Sequence, residues 1–341
     1  MNLVWEKQKA FTIVELLIVI VVIAILAAIT IVAYTGVTQR AKNSAQASLL
    51  SQWRTKAALY RVDNGINDCP TGYAFVYGNA SLGTMPGFCV MKYEAKNVSG
   101  SAVSQASGLP WVGISQVDAI AQSTSVGGHL ITEAEWMTIA ADVVSVDYNW
   151  SGGSINSGVL YQGHVNNNPT VALAASEDDT DSLNGITGGT DIMPGGNSSR
   201  VLYLSSGDAI WDFSGNVWEW TQQAVGVPTL VVSSIGVPGE ATATWRSYTY
   251  GSLSLGNLAS VSKPTTLNSY VNPVTGASLS GVAWSAGKGV GQILANYADS
   301  SERAFRRGGA WGDGSNSGVL GLSTTASATA TFTYVGFRVV R

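Results

Sequence analysis

The pattern of apolar and polar positions divides the chain into unlike stretches. Residues 1–10 (MNLVWEKQKA) are mixed, with Lys7 and Lys9 near their end. Phe11–Ala33 follows with 20 of 23 residues apolar, interrupted by Thr12, Glu15 and Thr30. As a helix, Ile13–Ala33 would reach ~32 Å, against ~30 Å for the hydrocarbon core of a bilayer. Gln39–Val62 continues in Ala, Leu, Gln, Lys and Arg, which are good helix formers, and no proline occurs before Pro70. The pattern predicts one helix from Phe11 to about Asn64, ~80 Å long, stopped at Gly65. Leu49, Leu50, Trp53, Ala57 and Tyr60 recur at helical spacing, so one face can pack on a body.

Past residue 87 long periodic stretches are few. Ser115–Gln122 and Thr132–Val143 read as short helices, the second opened by a capping box of Thr132 and Glu135. The remainder is rich in Gly, Ser, Thr and Asn with scattered aromatics, the mark of short strands and long ordered loops. The expected fold is α+β: a leader at 1–10, a membrane and stalk helix over 11–65, a joint at 66–87 and a domain at 88–341.

Composition and charge narrow the function. Charged residues make up 12% of the 341, about half the usual ~25%. Disorder is excluded, because disordered chains are charged and poor in aromatics. One spanning stretch excludes a polytopic membrane protein. Residues 101–300 carry 4 basic and 15 acidic side chains. A body of that sign repels nucleic acid, whose binding rests on Lys and Arg meeting phosphates. The cysteines are two, Cys69 and Cys89, too few for a four-ligand zinc site. In an exported domain a disulfide is the leading reading, with two buried thiols as the alternative. A secretory signal has its small-residue cleavage site after the apolar run. Here Ala10 lies before it, so the anchor would survive processing.

The run KAFTIVELLIVIVVIAILAAI resembles the N-terminus of type IV pilins and pilin-like proteins. The resemblance implies that a prepilin peptidase cuts between Ala10 and Phe11 and that the new amine of Phe11 is methylated. It also implies that Glu15 meets the amine of a neighbouring pilin subunit during assembly. Ala10 departs from the usual glycine of that family. The implied route runs from the inner membrane to an extracellular pilus at the cell surface.

Four further blocks resemble the formylglycine-generating-enzyme-like (sulfatase-modifying factor) family, which has a C-type-lectin-like fold. They are FCVMKYEAKN at 88–97, HLITEAEWMTIAA at 129–141, IWDFSGNVWEWT at 210–221, and FRRGGAWGDG with YVGFRVVR at 305–314 and 334–341. Trp218, Trp220 and Trp311 each bring roughly 150–250 Å² to bury. The resemblance implies calcium, Ca2+, held by Asn216 and Glu219 in the GN-x-WEW loop; a hydrogen-bonded turn is the plainer reading. Glu177, Asp178, Asp179 and Asp181 read as a solvated acidic loop before a site. The family's oxidase chemistry needs reactive cysteines late in the chain, and none follows Cys89. No nucleophile elbow or phosphate loop is present, and His129 and His164 lack metal-ligand spacing. No enzyme is expected.

Residues 312–334 (GDGSNSGVLGLSTTASATATFTY) lie between two of these blocks and contain no Met, Trp, Lys, Gln or Glu. Targets of diversity-generating retroelements, which share the C-type-lectin-like fold, vary a segment placed there by adenine mutation, which excludes those five residues. The resemblance implies a ligand surface from Trp311, Asp313, Ser315, Asn316, Ser317, Ser323, Thr324, Thr329, Phe332 and Tyr334. The expected protein is a pilin-like adhesin displaying this surface to a protein or glycan. The alternative is a pseudopilin of a type II secretion or competence system with an enlarged head.

Overall fold

A computed structural model describes residues 12–175 and 198–341. Ala10, Phe11 and the acidic loop at 177–181 lie outside the described residues. The chain divides into two compact units, Met1–Leu49 and Leu50–Arg341.

A single helix, α1, runs Ile13–Asp63. In the first unit its segment Ile13–Ile31 is apolar and long enough to cross a membrane, and none of it is buried. The polar interruptions are satisfied within the helix. Thr30 Oγ1 donates to the Leu26 carbonyl at 2.7 Å, which hides the hydroxyl from hydrocarbon. The Glu15 carboxylate accepts from Thr12 N and Thr12 Oγ1, each at 2.8 Å, while Thr12 Oγ1 accepts from Glu15 N at 3.2 Å. This is a capping box.

In the second unit, the end of α1 packs through the face expected of it. Leu50, Trp53 and Ala57 are buried, and the Tyr60 ring stands edge-on to Tyr77 at 4.9 Å. The helix ends just before Gly65, which takes the left-handed φ of 66°.

Among the described residues, seventeen strands and two more α-helices build most of the rest. In chain order they open with β1 Tyr73–Tyr77, β2 Gly87–Met91, β3 Lys96–Val98 and β4 Ser101–Val103. Helix α2 Gln116–Ser125, strand β5 His129–Leu130 and helix α3 Glu133–Val144 come next. Then follow β6 Val201–Tyr203, β7 Ala209–Trp211, β8 Trp218–Thr221, β9 Leu230–Val231 and β10 Ile235–Gly236. The last are β11 Thr244–Arg246, β12 Ser254–Leu255, β13 Ile293–Ala295, β14 Glu302–Gly308, β15 Gly318–Ala326, β16 Val335–Phe337 and β17 Val339–Val340.

Two sheets carry the domain. One has the order β1-β2-β17-β5, so the C-terminal strand lies inside a sheet opened near residue 73. The other runs β11-β13-β15-β14-β8-β16, with β9 on β14. The stretch 66–87, expected to be a joint, thus contributes β1 to a sheet. Cys69 and Cys89 are bonded to each other with Cα atoms 5.5 Å apart, tying the approach to β1 to β2.

Both short helices begin where the pattern placed them. Ser115 caps α2, and Thr132 with Glu135 completes the capping box of α3. Helix α3 is buried on nearly every side because it sits in the main core. There Trp136 stacks on Phe213 at 3.9 Å and its Nε1 donates to the Val319 carbonyl at 2.7 Å.

Candidate functional site: an aromatic cleft edged by the C-terminal loops

The family-like blocks are held together by buried ion pairs. Arg307 of β14 meets Glu133 of α3 at 2.5 Å, and Arg338 meets Glu219 of β8 at 2.8 Å. Arg200 meets Asp212 at 2.7 Å. All six side chains are buried. Arg307 holds the Glu133 carboxyl below its usual range although burial opposes it. Such pairs bring register more than stability, but losing one partner strands a buried charge. The glycines of RGG-x-W serve the same junction. Gly309 has φ of 90°, and a Cβ there would stand 2.2 Å from Ser317 Oγ.

Against this frame lies a cleft of about 300 Å³. Its walls include Trp218, Trp245, Trp311 and Tyr334, with Arg306 and Asp313 between them. Trp218 stacks on Trp245 at 5.9 Å and 18°. Trp311 meets Tyr334 edge-on at 6.3 Å. The Arg306 guanidinium sits over the Phe332 ring at 4.7 Å and over Trp218 at 5.7 Å. Its Nη2 donates to Ser323 Oγ at 2.8 Å and Thr325 Oγ1 at 3.1 Å. Among the described residues it makes no ion pair. Asp313 accepts from Trp218 Nε1 and from Ala310 N, each at 2.8 Å, and burial raises its carboxyl pKa. Flat aromatic faces with one buried cation and one acid suit binding by stacking and directed hydrogen bonds.

The expected ligand residues separate into two groups. Trp311, Asp313 and Tyr334 line the cleft. Ser315 and Thr329 are exposed, and Asn316 and Phe332 are half-buried. Ser317, Ser323 and Thr324 are buried, so the expectation that they meet a ligand is corrected. Ser323 and Thr324 lie in β15, a central strand between β13 and β14, and Ser323 is spent on Arg306. Trp218 lines the cleft as well as the core, and Trp245 and Arg306, which no motif singles out, line it too. The W-E-W alternation of β8 held the signal for Trp218: Glu219 points to Arg338 while its neighbours face the other side of the sheet.

Asn216 and Glu219 are both engaged by hydrogen bonds within the protein. Both Glu219 oxygens accept from Arg338 Nε, at 2.8 and 2.9 Å. Asn216 Oδ1 accepts from Leu173 N at 2.8 Å, and its Nδ2 donates to Glu94 Oε2 at 2.7 Å. Calcium wants six to eight free oxygens, and a carboxylate already neutralised by a guanidinium does not fit it. These are the bonds of the hydrogen-bonded turn. Beside that turn, burial and the nearby Asp212 push the Glu94 carboxyl up to about 8, and burial draws the Lys96 ammonium down. His129 Nε2 lies 2.8 Å from Glu135 Oε1, and His164 Nε2 lies 3.0 Å from the Val171 carbonyl.

The fold and cleft describe a C-type-lectin-like domain carried on an apolar N-terminal helix. Residues 69–341 match the sulfatase-modifying factor enzyme 1-like domain, and the chain belongs to that family. Residues 5–31 match the prokaryotic N-terminal methylation motif, which makes the N-terminus pilin-like. Among solved structures, the chain is similar to the Major Tropism Determinant U1 variant, at 14% identity and a TM-score of 0.34. It is similar to the I1 variant at 13% identity and the same TM-score. In both cases the match covers 80% of this chain and 52% of the other, so the chain spans about half the length of those structures.

Proposed function

We propose that this chain is a type IV pilin-like surface protein that displays its aromatic cleft to a ligand, a protein or glycan of another surface. The observation that carries the reading is the cleft itself: Trp218, Trp245, Trp311 and Tyr334 around Arg306 and Asp313, edged by the small-residue loops on either side of β15. The methylation motif supports processing by a prepilin peptidase, then assembly with other pilin subunits. The apolar segment Ile13–Ile31 supports a membrane-anchored stage before assembly.

The domain acts by binding rather than catalysis. Both cysteines of the chain are joined in the disulfide, which leaves no thiol for the oxidase chemistry of the family. Aromatic anchors surrounded by adaptable Ser, Thr and Asn loops resemble the composition of antibody paratopes.

The test is a glycan and cell-surface binding screen with the detergent-solubilised full chain. A hit is then repeated with Trp311→Ala and Tyr334→Ala combined. Central aromatic anchors carry ~2 kcal/mol or more, so binding falls roughly 30-fold. Undiminished binding by the double variant removes the cleft from the function.

A further inference from the structure

Lys96 is 2% exposed. Its Nζ has no hydrogen-bond partner among the described residues, and Glu94 Oε2 lies 3.8 Å away. A buried ammonium held by one loose contact is costly, and the site offers it a chemical outlet. The same Glu94 Oε2 accepts from Asn216 Nδ2 at 2.7 Å. One carboxyl oxygen therefore faces both an amine and a carboxamide. The carboxamide is also held from its other side. Leu173 N donates to Asn216 Oδ1 at 2.8 Å, and the Leu173 carbonyl accepts from Nδ2 at 3.1 Å. The N–H on Oδ1 polarises the carbonyl and stands ready for the negative charge that a tetrahedral centre would place there. Glu94 and Asn216, like Lys96, are buried, which keeps competing water away and leaves a lysine amine nucleophilic.

We propose that Lys96 and Asn216 become joined by an intramolecular isopeptide bond, with Glu94 as the proton carrier. The Lys96 Nζ lone pair attacks Asn216 Cγ, and the carbonyl electrons move to Oδ1 under the Leu173 N–H. Glu94 takes a proton from the attacking nitrogen and delivers one to Nδ2. The Cγ–Nδ2 bond then breaks and ammonia leaves. Amine and carboxamide become a secondary amide and ammonia, with no oxidant or cofactor. The bond fastens β3 to the turn before β8, two places far apart in the chain, so stretching the domain cannot part them without breaking a covalent link. It also removes a buried amine that makes no hydrogen bond.

Peptide mapping by mass spectrometry tests this on the purified, folded full chain after reduction of the disulfide. The expected result is one cross-linked species uniting the Lys96 and Asn216 peptides, lighter than their sum by one ammonia. Lys96→Arg and Glu94→Gln are each expected to lose that species and return both peptides unlinked. Glu94→Gln keeps both reactants, and near-ultraviolet dichroism reports whether it is folded. Separate, unmodified Lys96 and Asn216 peptides from the folded wild-type chain overturn the proposal. So does an unchanged ammonia loss in Lys96→Arg, which assigns it to Asn216 cyclising on its own backbone.

Discussion

Individual buried charges set the conditions under which this domain is stable. Asp142 is fully buried, and its carboxylate accepts from Ser205 N at 3.0 Å, Ser205 Oγ at 2.5 Å and Asn272 Nδ2 at 3.1 Å. Burial outweighs those bonds and raises its pKa from 3.8 to about 6. The folded state thus holds a proton that the unfolded chain releases earlier. This contribution to stability is complete below pH ~4 and fades as pH climbs through ~6, by up to about 3 kcal/mol. Comparison of urea midpoints of the wild type and Asp142→Asn across that range checks it: the difference between the two should change with pH in that direction. A parallel curve for both proteins rules the assignment out. Glu133 behaves in the opposite sense, because Arg307 keeps it ionised. Arg307→Met leaves that carboxylate buried without its cation, held only by neutral donors such as Thr221 Oγ1 at 2.6 Å, a loss of about 3–5 kcal/mol, and thermal unfolding should show it as a large drop in midpoint.

At the scale of elements, the segment 312–334 is not one surface but a strand between two loops. Strand β15, Gly318–Ala326, is a central strand with buried Ser323 and Thr324, whereas Ser315 and Thr329 are exposed on either side. Substituting lysine at Ser315 or Thr329 should change stability by less than about 0.5 kcal/mol. Lysine at Ser323 would put a second cation against Arg306 in the core and should prevent folding or cost about 3 kcal/mol or more. Soluble yield and melting temperature of the three variants decide it, and tolerance at Ser323 overturns the distinction. The same contrast explains what was legible beforehand. Helices α1, α2 and α3 could be read because periodicity and capping are local: Ser115, Thr132 and Glu135 act within three residues of their targets. The disulfide, too, was limited to one pairing by the count of cysteines. The cleft could not be read as a whole, since Trp245, Arg306 and Trp311 meet through sheet order, which periodicity does not encode. Small hydroxyl residues misled for a physical reason: Ser and Thr suit an exposed loop and also a central strand whose hydroxyls satisfy a buried guanidinium. Asn216 and Glu219 are ambiguous likewise, because a side-chain oxygen has the same letter whether it awaits a cation or a donor from the protein.

At the scale of the whole molecule, the proposed function couples assembly through the pilin-like helix to display of the cleft, and each should fail independently. Glu15 is the residue on which assembly would turn. In the single chain its carboxylate is occupied by Thr12 N and Oγ1 at 2.8 Å, so an isolated subunit has its charge satisfied in a place where an unpaired carboxylate is expensive. Assembly on the pilin pattern would exchange those bonds for the amine of a neighbouring subunit, a charge-assisted partner stronger than a neutral donor. Glu15→Gln keeps the shape and acceptor oxygen but removes the charge. It should leave the domain of residues 50–341 folded and its ligand binding unchanged, while the protein stays in the membrane and is depleted at least tenfold from sheared extracellular filaments. Fractionation of cells carrying either form measures this. Equal recovery of Glu15→Gln in the filament fraction would mean that the carboxylate does not direct assembly, and the surface display of the cleft would then need another route.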